Sequence, residues 1–282
     1  MERYIRRSWP LFVLPTMLAF AVGFLVPFGL GLYLSFCDFT TLTDAVFTGV
    51  DNYVRAFSDA RGEFVHALWY TALFAGLSTA AVNALGLTLA LLLYKGFAGA
   101  GLFRTVFFLP NLIGGIVLGW LWQTLLNGVL ARYGATLVTN EWYGFWGLMA
   151  LTLWQQAGYV MIIYLSGLAA IPHELSEAAA IDGATAWQTL RHVRLPMLMP
   201  SVTICTFLTL TGGFKLFDQN LSLTAGMPGD RSQLLALNIY STFYGRTGWA
   251  GAGQAKAVVF CALVVGLALL QLRLTRPREV QQ

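Results

Sequence analysis

Residues 142–200 run WYGFWGLMALTLWQQAGYVMIIYLSGLAAIPHELSEAAAIDGATAWQTLRHVRLPMLMP, and their reading decides the fold. From Trp142 to Pro172 the stretch holds no Asp, Glu, Lys or Arg. A helix needs about 20 apolar residues to cross the hydrocarbon core of a bilayer, and this run is long enough. Charge then returns with Glu174, Glu177, Asp182, Arg191 and Arg194, and disappears again from Leu195 to Phe214. The pattern predicts a span, a polar excursion and a returning span. The excursion, residues 171–198, carries the signals of two short helices. Pro172 suits a first helical position, and Glu174 and Glu177 favour the positive end of the first helix. Ala178, Ala179 and Ala180 keep that helix slim. Asp182-Gly183 is a stop, because glycine adopts the left-handed conformation of a helix end. Thr185 with Gln188 makes a capping box for the second helix, and Trp187, Leu190 and Val193 form an apolar stripe on it. Leu195-Pro196 is expected to close the unit and begin the return into the membrane.

Working outward, further charge-free runs occupy Ser8–Cys37, Phe64–Tyr94 and Thr105–Ala131, and a shorter one lies at Ala257–Leu272, with Lys256 and Arg273 placed to snorkel at its ends. The predicted fold class is therefore all-α, a polytopic membrane protein. Its six transmembrane helices fall at about 11–37, 67–94, 105–127, 144–168, 199–218 and 256–274, and together they form a single domain. Helices are chosen over open strands because no backbone amide can stay unsatisfied in lipid. The first run is too long and lacks the small-residue cleavage pattern of a secretory signal, so it is expected to be retained as a helix. Breakers inside the spans (Pro15, Pro27, Gly114, Gly115, Gly212, Gly213) have two readings: close helix packing, or irregular backbone lining a cavity.

Basic residues set the orientation. With the N-terminus in the cytoplasm, Arg3, Arg6, Arg7, Lys95, Arg104, Arg191, Arg194, Arg273, Arg276 and Arg278 lie inside. Arg55, Arg61, Arg132, Arg231 and Arg246 then lie outside. That asymmetry predicts both termini in the cytoplasm. Of the 282 residues 57% are hydrophobic and 11% charged, too greasy for one soluble core. The formal net charge of +4 reports topology, and no nucleic acid is implied. Cys37, Cys205 and Cys261 have neither metal-site nor disulfide spacing and are expected to pack in the membrane. No HExxH, GxSxG or paired intramembrane acids occur, so no catalytic residue and no metal ligand is assigned.

The exposed helix pair admits three readings: an amphipathic element resting on headgroups, a plain connector, or an insert for a groove in another protein. Glu174, Glu177 and Asp182 sit poorly against an anionic leaflet, and a compact alanine-faced helix suits a groove. EAAAIDGATAWQTLRHVRLP, Glu177–Pro196, resembles the EAA signature of binding-protein-dependent ABC importer permeases through Glu177, Ala178, Ala179, Gly183, Val193, Leu195 and Pro196. Val193 stands where isoleucine is commoner. A second stretch, FKLFDQNLSLTAGMPGDRSQLLALNIYSTFY (Phe214–Tyr244), resembles carbohydrate-uptake permeases through Phe217-Asp218, Leu223-Thr224, Gly226 and Pro228, with Met227 in place of a usual glycine. FLPNLIGGIVLGWLWQTLLNG, Phe108–Gly128, is similar to the third span of that family. The resemblance points to the first permease of a maltose-type or glycerol-3-phosphate-type pair, without the extra N-terminal spans and large external insertion of the maltose protein.

The resemblance implies partners: a second six-span permease, two cytoplasmic ATPase subunits, an external solute-binding protein, and the lipid of a prokaryotic cytoplasmic membrane. ATP and Mg would be bound by the ATPase, since this chain has no GxxxxGK[ST] string. By match, Glu177, Ala178, Ala179, Asp182, Gly183, Leu195 and Pro196 form the ATPase-coupling set. The expected solute path takes polar span residues Asn111, Gln123, Gln155, Gln156, Tyr159 and Thr209, and the resemblance to the maltose-type pocket implies Gln155, Gln156 and Tyr159 of the fourth span with Thr209, Gly212, Gly213 and Leu216 of the fifth. For Gln155 and Asn111 the alternative is a hydrogen bond to another helix. Lys215 and Asp218 are expected to pair on one helical face. An oligosaccharide is favoured over glycerol-3-phosphate, because a phosphate ester wants more basic groups than Lys215 alone. A secondary transporter or channel would account for the spans but not for the hairpin.

Overall fold

The computed structural model describes residues 13–41, 43–59 and 62–275. Arg3, Arg6, Arg7, Arg61, Arg276 and Arg278, and the start of the first span, lie outside those residues. The chain divides into two compact units. One takes the described residues up to Gly62 together with Ile239–Cys261. The other takes Glu63–Asn238 and the described residues from Ala262 onward.

In the first unit, α1 (Val13–Leu34) is apolar all round and buries only Leu34. A helix hydrophobic on every face is built for lipid. Its turn at Ala21–Leu25 is widened to a π-turn, with the Val26 amide bonding back to the Ala21 carbonyl. The widening sits just before Pro27, which cannot donate to the preceding turn. Beyond α1, β1 (Cys37–Asp38) pairs antiparallel with β2 (Val46–Phe47), Cys37 opposite Phe47. Between them Asp44 accepts hydrogen bonds from the Thr40 hydroxyl and from the Thr40 and Thr41 amides. The Thr40 hydroxyl first, then the Thr41 amide, hold its carboxyl down at about 2. Next comes α2 (Asp51–Phe57), whose buried Asn52 donates to the Ser35 and Cys37 carbonyls at 3.2 and 2.7 Å.

Two later helices, α11 (Leu235–Gly245) and α12 (Ala250–Thr275), contribute to this unit the residues between Ile239 and Cys261. Arg246 pairs with Asp59 at 3.0 Å, and Arg55 and Arg246 both lie over the Trp249 ring. Lys256 corrects an expectation. Its helix begins at Ala250, so it lies in the second turn, fully buried, and its ammonium donates to Thr242 Oγ1 at 2.8 Å instead of snorkelling.

The second unit is built on α3 (Glu63–Tyr94), α6 (Glu141–Ala169) and α9 (Met199–Phe214), which pack on one another. Between α3 and α6 come α4 (Ala100–Leu112) and α5 (Gly115–Tyr133), bent by 99° where one straight span is expected. The break is local chemistry: Ile113 and Gly114 are extended, at the entry to the Gly114-Gly115 pair, glycine being a poor helix former. Gly115 and Gly119 then let α10 (Asp218–Leu223) come close, a Cβ at either glycine meeting Gln219 or Ser222. Two hydrophobic clusters fill the core. Tyr70, Phe74, Phe145 and Leu148 sit at the N-terminal ends of α3 and α6. Val82, Ala90, Val160, Met161 and Leu168 sit toward their C-terminal ends, with Leu198 and Cys205 from the following segment.

By length and apolarity, four of the described helices can cross a membrane, and two bent pairs pass the same test if each is one span. Cys37, Cys205 and Cys261 are all free thiols. Among the described residues no group of His, Cys, Asp and Glu could hold a metal.

Candidate functional site

The hairpin between α6 and α9 consists of α7 (His173–Ile181) and α8 (Ala186–Met197). Its turn is fully hydrogen-bonded. Gly183 is left-handed (φ +77°), its amide bonds the Ala180 carbonyl at 3.1 Å, and the Ala184 amide bonds the Ala179 carbonyl at 2.9 Å. That is the double-bonded glycine stop of a helix C-terminus. The capping box follows: the Gln188 amide donates to Thr185 Oγ1, and Gln188 Oε1 accepts from the Thr185 amide at 2.7 Å. Leu195-Pro196 does not end the second helix. A π-turn at Leu190–Arg194 absorbs the missing proline donor, and the chain turns at Leu198, where α8 and α9 meet at 68°.

The root of the hairpin is packed and its tip is bare. Leu198 is fully buried, and Gly167 lies so close to Ser201 and Leu198 that a Cβ would strike both. Arg194 reaches the Tyr94 ring, 5.6 Å away, at the end of α3. At the tip Ile181 is 86% exposed and Trp187 65%. Glu177, Ala178, Asp182 and Gly183 are exposed, Ala179 is half-buried, and Leu195 and Pro196 are half-buried nearer the root.

The polar span residues fall into two sets. Gln155 is buried. It donates to the Ile113 carbonyl freed by the α4–α5 break (3.2 Å) and accepts from Gln219 Nε2 (2.9 Å). Gln123 donates to the Leu223 carbonyl at 2.9 Å. Thr209 is buried, donating to the Cys205 carbonyl at 2.7 Å and accepting from Asn83 Nδ2 at 2.9 Å. Gly213 lies against Ala75 of α3, and Leu216 belongs to a hydrophobic cluster. Asn111, Gln156, Tyr159 and Gly212 are half-buried, Gln156 and Tyr159 one turn apart on α6 and Asn111 just before the break. Lys215 ends α9 and Asp218 opens α10, so the two lie on different helices, not on one face.

Three functional candidates escape a sequence search. Asn83, Gln219 and Asn220 are amides, and Asn83 lies in a run notable only for lacking charge. A scan for Asp, Glu, Lys and Arg passes over all of them. Asn220 organises the turn after α10: Nδ2 donates to the Ser232 carbonyl and Oδ1 accepts the Leu234 amide, each at 2.8 Å. The Ser232 hydroxyl donates to the Met227 carbonyl and lies 2.9 Å from Thr224 Oγ1. His66 at the start of α3 joins this turn to α6, with Nε2 2.8 Å from the Arg231 carbonyl and 3.5 Å from Glu141 Oε2.

A helical core of membrane-length spans with a capped hairpin between two of them defines a membrane permease. The chain belongs to the family of binding-protein-dependent transport system inner membrane components, whose profile matches residues 82–276, and it is a permease subunit of an ABC importer. A relative from Thermoanaerobacterium thermosulfurigenes, a probable starch degradation products transport system permease protein AmyD, is 41% identical over 280 residues, covering 96% of this chain and 94% of its own. The trehalose/maltose transport system permease protein MalF of Thermococcus litoralis is 30% identical over 257 residues, covering 86% and 84%. In fold, the chain is similar to a permease chain of a bacterial ABC transporter that imports the acidic polysaccharide alginate, with a TM-score of 0.82 at 22% identity, covering 98% of each chain.

Proposed function

We propose that this permease carries a carbohydrate, an oligosaccharide of the kind released from starch, inward across a prokaryotic cytoplasmic membrane. The names of its relatives support that substrate class. In this reading the chain acts as one domain of six spans, each bent pair counting as one, with both termini in the cytoplasm. It works beside a second permease, above two ATPase subunits that bind ATP and Mg, and receives solute from an external binding protein. The observation that carries the reading is the hairpin. Its turn is closed by its own hydrogen bonds, its root is buried at Leu198, and its Glu177, Ile181 and Trp187 are exposed. Apolar side chains exposed on an otherwise polar element outside the spans mark a contact with protein or membrane, and the acidic Glu174, Glu177 and Asp182 beside them favour protein. Glu177 is suited to a basic group on the ATPase, and Gly183 supplies the bend that Pro or a branched residue would strain. Closure of the ATPase dimer would pull this handle and reorient the spans as rigid bodies.

The solute path in this reading is lined by the half-buried set Asn111, Gln156, Tyr159 and Gly212. The remaining candidates, Gln123, Gln155, Thr209, Gly213 and Leu216, set the helix positions behind it. The test is uptake by cells expressing the complete transporter. Glu177→Lys and Gly183→Pro are each expected to abolish uptake of labelled maltotriose and to reduce co-purification of the ATPase, with membrane insertion unchanged. Full uptake by both variants would refute the docking assignment.

A further inference from the structure

The hairpin is covalently continuous with α6 and α9 but not with α3. A pull on it reaches α3 only through non-covalent contacts. Two of those contacts are steric, and a third of the same kind joins the two arms of the hairpin to each other. A Cβ at Gly86 of α3 would meet Val160 and Met161 of α6, one at Gly167 of α6 would meet Leu198 and Ser201 at the root of α9, and one at Gly213 of α9 would meet Ala75 of α3. Glycine contacts let helices approach, but they are apolar and smooth. In hydrocarbon, where lipid competes equally for such surfaces, they resist sliding along the helix axes poorly. Hydrogen bonds are directional and fix register.

At the N-terminal ends the Tyr70 hydroxyl of α3 donates to the Glu141 carbonyl of α6 at 3.0 Å, and beside the hairpin Arg194 lies over the Tyr94 ring; in mid-helix, and toward α9, the directional element is an amide. Asn83 Oδ1 accepts from the hydroxyl of Tyr164 on α6 at 2.8 Å. Its Nδ2 donates to Thr209 Oγ1 on α9 at 2.9 Å and to the Thr79 carbonyl of its own helix at 2.8 Å. Thr209 passes the chain on to the Cys205 carbonyl at 2.7 Å. Tyr164 is 1% exposed and Thr209 4%. Both amide hydrogens of Asn83 are thus engaged, and its oxygen faces a buried phenol, so its polar atoms are turned inward to the junction.

We infer that Asn83 is the positioning residue that locks α3 in register with both arms of the hairpin, so that α3, α6 and α9 move as one body when the hairpin is pulled. The inference rests on the docking reading above. Without the amide, α3 would keep only its end contacts to α6 and the hairpin, and part of the pull would be dissipated as slip of α3 against α9. ATP would then be hydrolysed with less movement of the spans that face the solute.

The experiment uses the complete transporter in lipid nanodiscs, with spin labels at two exposed positions, Leu85 on α3 and Ile204 on α9. Pulsed electron resonance reads their separation without nucleotide and after trapping with ATP and vanadate. In the parent protein the separation is expected to stay constant while ATPase subunits remain bound. In Asn83→Leu it is expected to change between the two states by about 2 Å, the scale of helix slip at packed interfaces. Tyr164→Phe removes a single hydroxyl at nearly constant volume. It is expected to move the separation in the same direction, and it keeps the test alive if Asn83→Leu fails to assemble. A separation that changes in the parent, or that stays constant in both variants, overturns the inference and leaves docking intact. If no ATPase subunit co-purifies with the parent chain, the docking reading fails, and this inference fails with it.

Discussion

At the scale of the residue, glycine carries more of this protein than its helix propensity allows. Gly158 is the sharpest case: a Cβ there would overlap the carbonyl of Phe107, a backbone group that cannot swing aside. Gly158→Ala is expected to destabilise the protein by about 1–3 kcal/mol, the usual cost of overpacking. Thermal unfolding in detergent checks this against Gly76→Ala, where an added Cβ meets nothing within 4 Å. That control is expected to be neutral or stabilising, since alanine is the better helix former. A protein equally tolerant of both changes would show that α6 and the end of α4 do not lie in contact.

At the scale of the element, the hairpin shows what local sequence can specify. Its stop at Gly183 and its restart at Thr185 depend on backbone geometry within six residues, so both were legible, and both are present. Thr185→Ala removes the oxygen that accepts the Gln188 amide, and a lost N-cap costs about 1 kcal/mol. Faster hydrogen exchange at Gln188 is the expected outcome, with exchange in α6 unchanged. The α4–α5 break is an intermediate case. The Gly114-Gly115 pair was legible as a weak point, but the 99° angle was not. That angle depends on Gln155 receiving the freed Ile113 carbonyl and on α10 seating against Gly115 and Gly119. Those partners are distant in sequence. The return at Leu198 differs from the expected one at Leu195-Pro196 for a related reason. A proline removes a helix donor and crowds the turn before it, and here that turn is widened and the helix continues.

At the scale of the whole molecule, coupling and solute passage are assigned to different surfaces, and a pair of variants separates them. Gln156→Ala combined with Tyr159→Ala is expected to lower maltotriose uptake several-fold while the ATPase stays bound, in contrast to Glu177→Lys. Co-purification of the ATPase together with uptake in the same cells checks both halves. Unchanged uptake would return Gln156 and Tyr159 to a role in helix packing alone. The polar residues of the spans resist a finer division by sequence, because an amide in lipid must find a partner whatever its function.

What the sequence determined by itself was the solvent and the local grammar. Long charge-free runs specify lipid, because desolvating a charge is costly at any position in them, and caps specify the hairpin, because their bonds close within a turn. Burial and partnership were decided only in three dimensions. Lys256 resembled a snorkelling end-residue and is enclosed beside Thr242. Asn83 was one polar residue in a greasy run, and it joins three helices. Which face of a membrane helix meets protein and which meets lipid leaves little trace in hydrophobicity, since both faces are apolar. Only the packing of distant segments tells them apart.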